Sequence, residues 1–225
     1  MAYSLTPVAR GAEAEIYVLD LVNRKIVIKK RVSKPYRTPE FNRVFITSRT
    51  RTEAKILTEL YSAGLSVPAV IFVDEEEGVL GLEYVEGVRL SDIIETLSID
   101  DVKRVSSGIG YFAGKMHSRG IYHGDFTLAN VILSGGKLVV IDFGLAGYSN
   151  DIEEYAIDLH LMLRSVHAIR PEVTHIFESE MVSAYLESYQ GNGKEVIKRM
   201  REIRTRGRYV DKELRRAVIR GRYIG

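Results

Sequence analysis

Three oxygen-bearing side chains stand at intervals suited to phosphoryl transfer. In His123-Gly124-Asp125-Phe126-Thr127-Leu128-Ala129-Asn130 an Asp is followed five residues later by an Asn, and Ile141-Asp142-Phe143-Gly144 comes about a dozen residues further on. A phosphoryl group in transfer is polyanionic, so a divalent cation must neutralise it. Magnesium takes hard oxygen ligands, which Asp142 can give as a carboxylate and Asn130 as an amide oxygen. Asp125 can then accept the proton of an acceptor hydroxyl and orient that oxygen for in-line attack. Asp-Phe-Gly by itself carries little weight. The spaced set, following an amphipathic helix, carries much more.

A second pair joins them. Lys29 ends the apolar run Ile26-Val27-Ile28, and Glu53 lies in the first turns of the next predicted helix. Kinase-type transferases need a strand lysine on the nucleotide phosphates, fixed by a helix glutamate. Lys30 and Arg31 are neighbouring cations, but strand alternation turns Lys30 to the opposite face from Lys29. Two further stretches are weaker. Gly11-Ala12-Glu13-Ala14 is the candidate phosphate-covering loop, with one glycine where a kinase commonly has three. Leu82-Glu83-Tyr84-Val85-Glu86-Gly87 is the candidate adenine edge, where the Glu83 carbonyl and the Val85 N–H would meet the base.

The elements that must position these residues follow from periodicity. Ile16 to Val18 and Ile26 to Ile28 read as strands, separated by the turn-like 21–25. Pro35 and Pro39 interrupt the basic stretch 29–39, and Thr50 to Ala63 reads as a helix stopped by Gly64. Val67 to Val73 and Val79 to Val85 read as two strands around an acidic turn. Leu90 to Leu97 reads as a short helix. Ser98 offers a cap to a helix that gathers Val105, Ile109, Phe112, Ala113 and Met116 on one face. Val131 to Leu133 and Leu138 to Ile141 are predicted strands around Ser134-Gly135-Gly136, which would hold Asn130 near Asp142. From Asp151 the pattern is helical, through Ile157, Leu161 and Leu163 and then Ile176, Met181 and Leu186.

Composition bounds the rest. The 225 residues contain no Cys, which excludes disulfides, thiolate zinc sites and cysteine nucleophiles. No apolar run is long enough to span a membrane, and the start of the sequence carries no secretory signal, so the cytoplasm is expected. Net charge is only +2, but Lys194 to Gly225 carries 12 Lys or Arg against 4 Asp or Glu. Such asymmetry points to an end that meets nucleic acid, nucleotide or an acidic partner, or to a solvated helix face.

Together these stretches resemble the small atypical kinase subunit of the KEOPS complex, a Bud-type kinase of a tRNA-modifying assembly. The resemblance runs through Gly11-Ala12-Glu13-Ala14, Ile28-Lys29-Lys30-Arg31, Lys34-Pro35-Tyr36-Arg37-Thr38-Pro39, Glu53-Ala54, His123-Gly124-Asp125, Asn130-Val131-Ile132-Leu133, Ile141 to Leu145, Ala156-Ile157-Asp158-Leu159 and Arg206-Gly207-Arg208. The degenerate glycine loop and the short activation segment are typical of that family. The resemblance implies an α+β, bilobal protein-kinase-like fold: a small β-rich N-lobe at 1–86, a reduced and mostly helical C-lobe at 87–205, and a basic tail at 206–225. It implies ATP and Mg as cofactors, with Asp125, Lys29 and Glu53 catalytic and Asn130 and Asp142 on the metal. Gly11, Ala12, Glu13, Ala14, Lys29, Glu83 and Val85 would hold the nucleotide.

The activity implied is serine/threonine phosphorylation and ATP hydrolysis, in the formation of threonylcarbamoyladenosine in tRNA. The partners implied are the threonylcarbamoyl-transferring KEOPS subunit and the other KEOPS subunits, with tRNA a candidate for the basic tail. Phe126-Thr127-Leu128-Ala129 departs from the family's commoner Leu-Thr-Thr-Ser, though Thr127 keeps a hydroxyl. Gly124 stands where regulated kinases carry Arg, so no phosphate-on-loop switch is expected. The competing readings are a small-molecule phosphotransferase of the aminoglycoside or choline type, a RIO-type kinase, and a non-catalytic scaffold.

Overall fold

The structure is a computed structural model and describes residues 4–11, 13–21 and 24–205. In chain order the elements are β1 (Ser4–Arg10), β2 (Ala14–Leu21), β3 (Arg24–Arg31), α1 (Pro39–Ser62), β4 (Val70–Asp74), β5 (Val79–Glu83), β6 (Val88–Arg89), α2 (Leu90–Ile93), α3 (Ile99–His117), β7 (Ile121–Tyr122), β8 (Val131–Ser134), β9 (Lys137–Val140), β10 (Gly147–Tyr148), α4 (Ile152–Ile169) and α5 (Thr174–Ser188). Residues 193–205 are helical as well. They cluster into two compact units. One takes the chain up to Leu97 and then His123–Tyr148, and the other takes Ser98–Tyr122 and the chain from Ser149 on.

The first unit is built on an antiparallel five-stranded sheet in the order β1-β2-β3-β5-β4. β1 goes beyond the sequence expectation, because its residues show no clear apolar alternation and its place is set by pairing with β2. In β3 the burial alternates at the end that matters: Lys29 and Arg31 are buried and Lys30 between them is exposed.

Helix α1 starts eleven residues before the predicted Thr50. Pro39 reads as a breaker in the sequence, yet it occupies the first turn, where its missing N–H is no loss. Thr38 is extended and its hydroxyl accepts from the Phe41 N–H at 3.3 Å. Residues 40–49 present exposed Phe41 and Val44, so the apolar period there is weak. The buried Asn42 ties the preceding loop to the helix: its Oδ1 accepts from the Lys34 N–H at 3.1 Å, and its Nδ2 donates to the Lys34 carbonyl at 2.9 Å. On the buried face, Thr50, Glu53, Ala54 and Leu57 recur at helical spacing.

β8 and β9 form a hairpin closed by Gly135-Gly136, with Val131 opposite Val140 and Ser134 opposite Lys137. Together with β6 they make a three-stranded sheet. Phe126, Leu128 and Phe143 are fully buried in this part of the unit.

The second unit is helical. Ser98 caps α3 by accepting from the Asp101 N–H at 3.1 Å, and Val105, Ile109, Phe112, Ala113 and Met116 are buried as expected. The buried stripe of α4 runs through Tyr155, Ala156, Leu159, Met162, Leu163 and Val166, so Ile157 and Leu161 lie at its edge. Leu186 of α5 is exposed. Three helices meet at buried His117, whose Nε2 lies 3.3 Å from Asp158 Oδ2 and whose Nδ1 lies 3.1 Å from the Tyr185 hydroxyl.

Candidate active site

All the candidate site residues that the structure describes lie in the first unit. Its centre is an ion-pair cluster. Lys29 Nζ donates to Glu53 Oε1 at 2.7 Å and to Asp142 Oδ1 at 2.6 Å. Glu53 is 1% exposed and Lys29 7%, so neither has enough water to be solvated alone, and each requires the other. Burial lowers the Lys29 pKa, but the charges of Glu53 and Asp142 and their hydrogen bonds more than offset this and hold it above the usual lysine value. For Asp142, burial raises the pKa. The Lys29 charge, the Lys29 hydrogen bond and the Gly144 N–H bring it below the usual aspartate value.

Asp142 has φ 61°, and it is the only non-glycine residue with positive φ among those described. An aspartate tolerates that region better than a bulky residue, but the conformation still stores strain of the kind found at functional sites. The next turn is tight. A Cβ on Gly144 would sit 2.9 Å from Lys29 Nζ and 3.1 Å from Asp142 Oδ1, so any side chain there would crowd the ammonium between its carboxylates.

The loop that carries Asp125 is held from both sides. Asn130 Nδ2 donates to the Asp125 carbonyl and to Asp125 Oδ2, both at 2.9 Å. The Asn130 carbonyl accepts from the Ile141 N–H at 2.9 Å. The β8–β9 register thus brings Asn130 beside the residue before Asp142. His123 completes the frame: its Nε2 donates to the Ile141 carbonyl at 3.1 Å, and its Nδ1 accepts from the Asp125 N–H at 3.2 Å. Gly124 has φ +79°, and a Cβ on it would lie 2.6 Å from the Leu145 carbonyl. No arginine fits there without moving the backbone.

The donor set suits a divalent cation bound together with phosphate. Asp142 keeps 53% of its side chain exposed. Asn130 spends its amide N–H groups on Asp125, and its Oδ1 is the atom left for a cation. No group of three or more His, Cys, Asp or Glu among the described residues is arranged to hold a metal by protein ligands alone. A hard cation on one carboxylate and one amide oxygen would complete its shell with phosphate oxygens and water, as magnesium commonly does.

The remaining candidates lie around this cluster. Gly11 closes the β1–β2 turn by donating to the Ala14 carbonyl at 2.9 Å. Ala14 is buried opposite Arg31. Ala12 lies outside the described residues. Glu13 Oε2 comes within 3.6 Å of Arg31 Nη1. Glu83 ends β5 opposite Ile26, its carboxylate accepts from the Ala69 N–H at 3.1 Å, and half-buried Val85 follows in irregular chain. Sequence reasoning missed the roles of Arg31 and of the His123 ring. Arg31 was legible in principle, because it lies two residues from Lys29 on the same strand face. The tautomer-specific bridge of His123 was not.

The protein kinase domain family matches residues 6–181. Among solved structures, WaaP in complex with acyl carrier protein superposes with a TM-score of 0.67 at 15% identity, covering 94% of this chain and 89% of that one. The Rio2 kinase of Chaetomium thermophilum does so with a TM-score of 0.61 at 14% identity, over 91% of this chain and 72% of that one. At such identities the likeness shows the fold alone, which is the α+β protein-kinase fold.

Nearer relatives refine this. The KEOPS complex subunit Bud32 of Pyrococcus abyssi is 36% identical over 89% of this chain and 94% of its own length. A probable serine/threonine-protein kinase BUD32 homolog of Archaeoglobus fulgidus is 36% identical over 88% and 93%. A probable bifunctional tRNA threonylcarbamoyladenosine biosynthesis protein of Methanothermobacter thermautotrophicus is 38% identical over 89% of this chain but only 36% of that protein. The chain spans about a third of that longer relative. The chain belongs to the Bud32 family of kinase-fold proteins.

Proposed function

We propose that the chain transfers the γ-phosphoryl group of ATP to a serine or threonine hydroxyl or to water, as the kinase and ATPase subunit of a KEOPS assembly that forms threonylcarbamoyladenosine in tRNA. The observation that carries this is the Lys29–Glu53–Asp142 cluster joined through the β8–β9 hairpin to Asn130 and Asp125 in one compact unit. In this reading Lys29 gives a fixed ammonium to the nucleotide phosphates, and Glu53 keeps that ammonium from swinging away. Gly11, Glu13 and Ala14 line the loop that would cover the phosphates. Glu83 and Val85 offer backbone groups to adenine. Asp142 and Asn130 would hold magnesium, which would neutralise the developing charge on the phosphoryl group. Asp125, oriented by Asn130, accepts the hydroxyl proton and aims its oxygen.

The lobe division at residues 86 and 87 belongs to the same reading, with 87–205 as the reduced C-lobe. The tail 206–225 lies outside the described residues. A partner is supported by the relatives. One is named a KEOPS complex subunit, and another is a single bifunctional chain of which this protein matches about a third. In this reading the chain would act together with a threonylcarbamoyl-transferring subunit. A cytoplasmic location goes with it, since ATP and tRNA reside there.

The test is reconstitution. The chain is captured from native extract with its partners, and magnesium-dependent ATP turnover and tRNA modification are measured with wild-type chain and with Asp142→Ala. The expected result is co-purification of KEOPS subunits, and loss of both activities in the variant without loss of fold. Full activity in Asp142→Ala would refute the metal assignment.

A further inference from the structure

Lys29 and Glu53 share the buried charge at the site with a third side chain. Arg31, two residues further along β3, has a side chain 3% exposed. Its Nη2 donates to Glu53 Oε2 at 2.7 Å and lies 3.4 Å from the Gly144 carbonyl. Its Nη1 comes within 3.6 Å of Glu13 Oε2. One guanidinium therefore touches the glycine-poor loop, the glutamate of α1 and the turn that follows Asp142. Glu53 in turn is clamped by a different cation on each oxygen. Its orientation is fixed, because rotating the carboxylate would break both contacts at once.

We propose that Arg31 is a positioning residue for phosphoryl transfer. It acts through Glu53 to keep the Lys29 ammonium in place, and it holds the phosphate loop and the metal turn in register from inside the fold. Phosphoryl transfer needs these three parts assembled together. A fork of planar donors can reach acceptors on three separate elements, whereas a lysine in its place would supply a single point charge. This internal tether would keep the site assembled without a phosphorylated loop, consistent with a Gly124 that leaves no room for a phosphate-pairing arginine. The proposal rests on the phosphotransfer reading above.

The experiment measures magnesium-ATP turnover of the full chain in the wild type, Arg31→Lys, Arg31→Met, Glu53→Gln, the Arg31→Met/Glu53→Gln double variant and Asp142→Asn. Every assay runs below the lowest melting temperature found. Misplacing a reacting group by about 1 Å can cost about a hundredfold in rate, so a smaller shift in Arg31→Met is expected to lower kcat by about tenfold or more. The KM for ATP should change less, and Arg31→Lys should fall between Arg31→Met and wild type. In the Glu53→Gln background the same Arg31 change should cost clearly less than it does alone, leaving only the part carried by its Glu13 and Gly144 contacts.

Arg31→Met turnover within about twofold of wild type would overturn the proposal. So would a loss that recurs in full on the Glu53→Gln background, since that is what a merely structural role would give. If Arg31→Met does not fold, Arg31→Lys carries the comparison, and wild-type turnover in that variant overturns the proposal. Asp142→Asn separates the two levels. Turnover surviving there would refute the metal assignment, and no turnover in the wild type would refute the phosphotransfer reading itself, whatever Arg31 does.

Discussion

Replacing Lys29 by methionine should destabilise the fold as well as stop turnover, and replacing Lys30 should do neither. Lys29 Nζ lies 2.7 Å from Glu53 Oε1. At an effective dielectric constant near 20, a contact of that length is worth about 6 kcal/mol before desolvation. Removing one partner of a buried pair costs about 3–5 kcal/mol, since the other charge is stranded. Here the stranding is partial, because Arg31 stays on Glu53 Oε2 at 2.7 Å. The Asp142 contact adds little, since its side chain is 53% exposed and exposed pairs contribute about 0–1 kcal/mol.

The net expectation is a loss of about 2–4 kcal/mol. For a chain of this size that is a fall in melting temperature of roughly 5–15 °C. Lys30 is exposed on the opposite face, and Lys30→Met should leave stability and ATP turnover unchanged within error. Urea denaturation at pH 7, with the three proteins in parallel, reads the difference directly. Equal stability of Lys29→Met and wild type would refute the electrostatic account of the cluster, and a larger loss in Lys30→Met would reassign the strand lysine.

Three other expectations concern the same region and the tail. The Asp142 carboxyl is held below its ordinary value and Lys29 above its own. The stabilisation from Asp142 is therefore present above the ordinary aspartate pKa and lost as pH falls through the depressed one, while that from Lys29 is present below about 10.5 and lost as pH rises through the raised one. The stability gap between wild type and Asp142→Asn should accordingly close only at acid pH; a gap unchanged down to pH 2 would contradict the pairing. Gly144→Ala should lower kcat by about tenfold or more and lower the melting temperature by less than Lys29→Met does, because the added Cβ crowds the movable end of Lys29 without removing its charge; unchanged kcat would show that the ammonium position is not critical. Deleting residues 206–225 should weaken association with tRNA and flatten its dependence on salt concentration, because phosphate contacts release counterions; binding that keeps the same salt slope would leave the tail without a phosphate role.

Much of the site was legible because its chemistry is written in residue type and spacing. The spacing of Asp125, Asn130 and Asp142 marks them as candidates for metal and proton handling without any knowledge of the fold, and the strand-forming runs on either side of Gly135-Gly136 predict the hairpin that brings Asn130 beside Ile141. Strand alternation separated Lys29 from Lys30. Less was legible where local signals conflict with tertiary context. Pro39 reads as a breaker until Thr38 is seen capping the helix that Pro39 begins. β1 lacks apolar alternation and exists because β2 offers it a partner edge. Ile157 and Leu161 fit a helical period, but the stripe that α4 buries is rotated away from them.

The sequence alone determined the reactive groups and the order in which the chain delivers them, since those depend on side-chain chemistry and short-range periodicity. The tertiary structure alone decided which charges share one desolvated space. Arg31 and Glu13 belong to the site because β2, β3, α1 and the Asp142 turn converge there. Contacts such as Lys29 to Asp142, 113 residues apart in sequence, are set by how the sheet, the helix and the hairpin pack, and no local pattern encodes that.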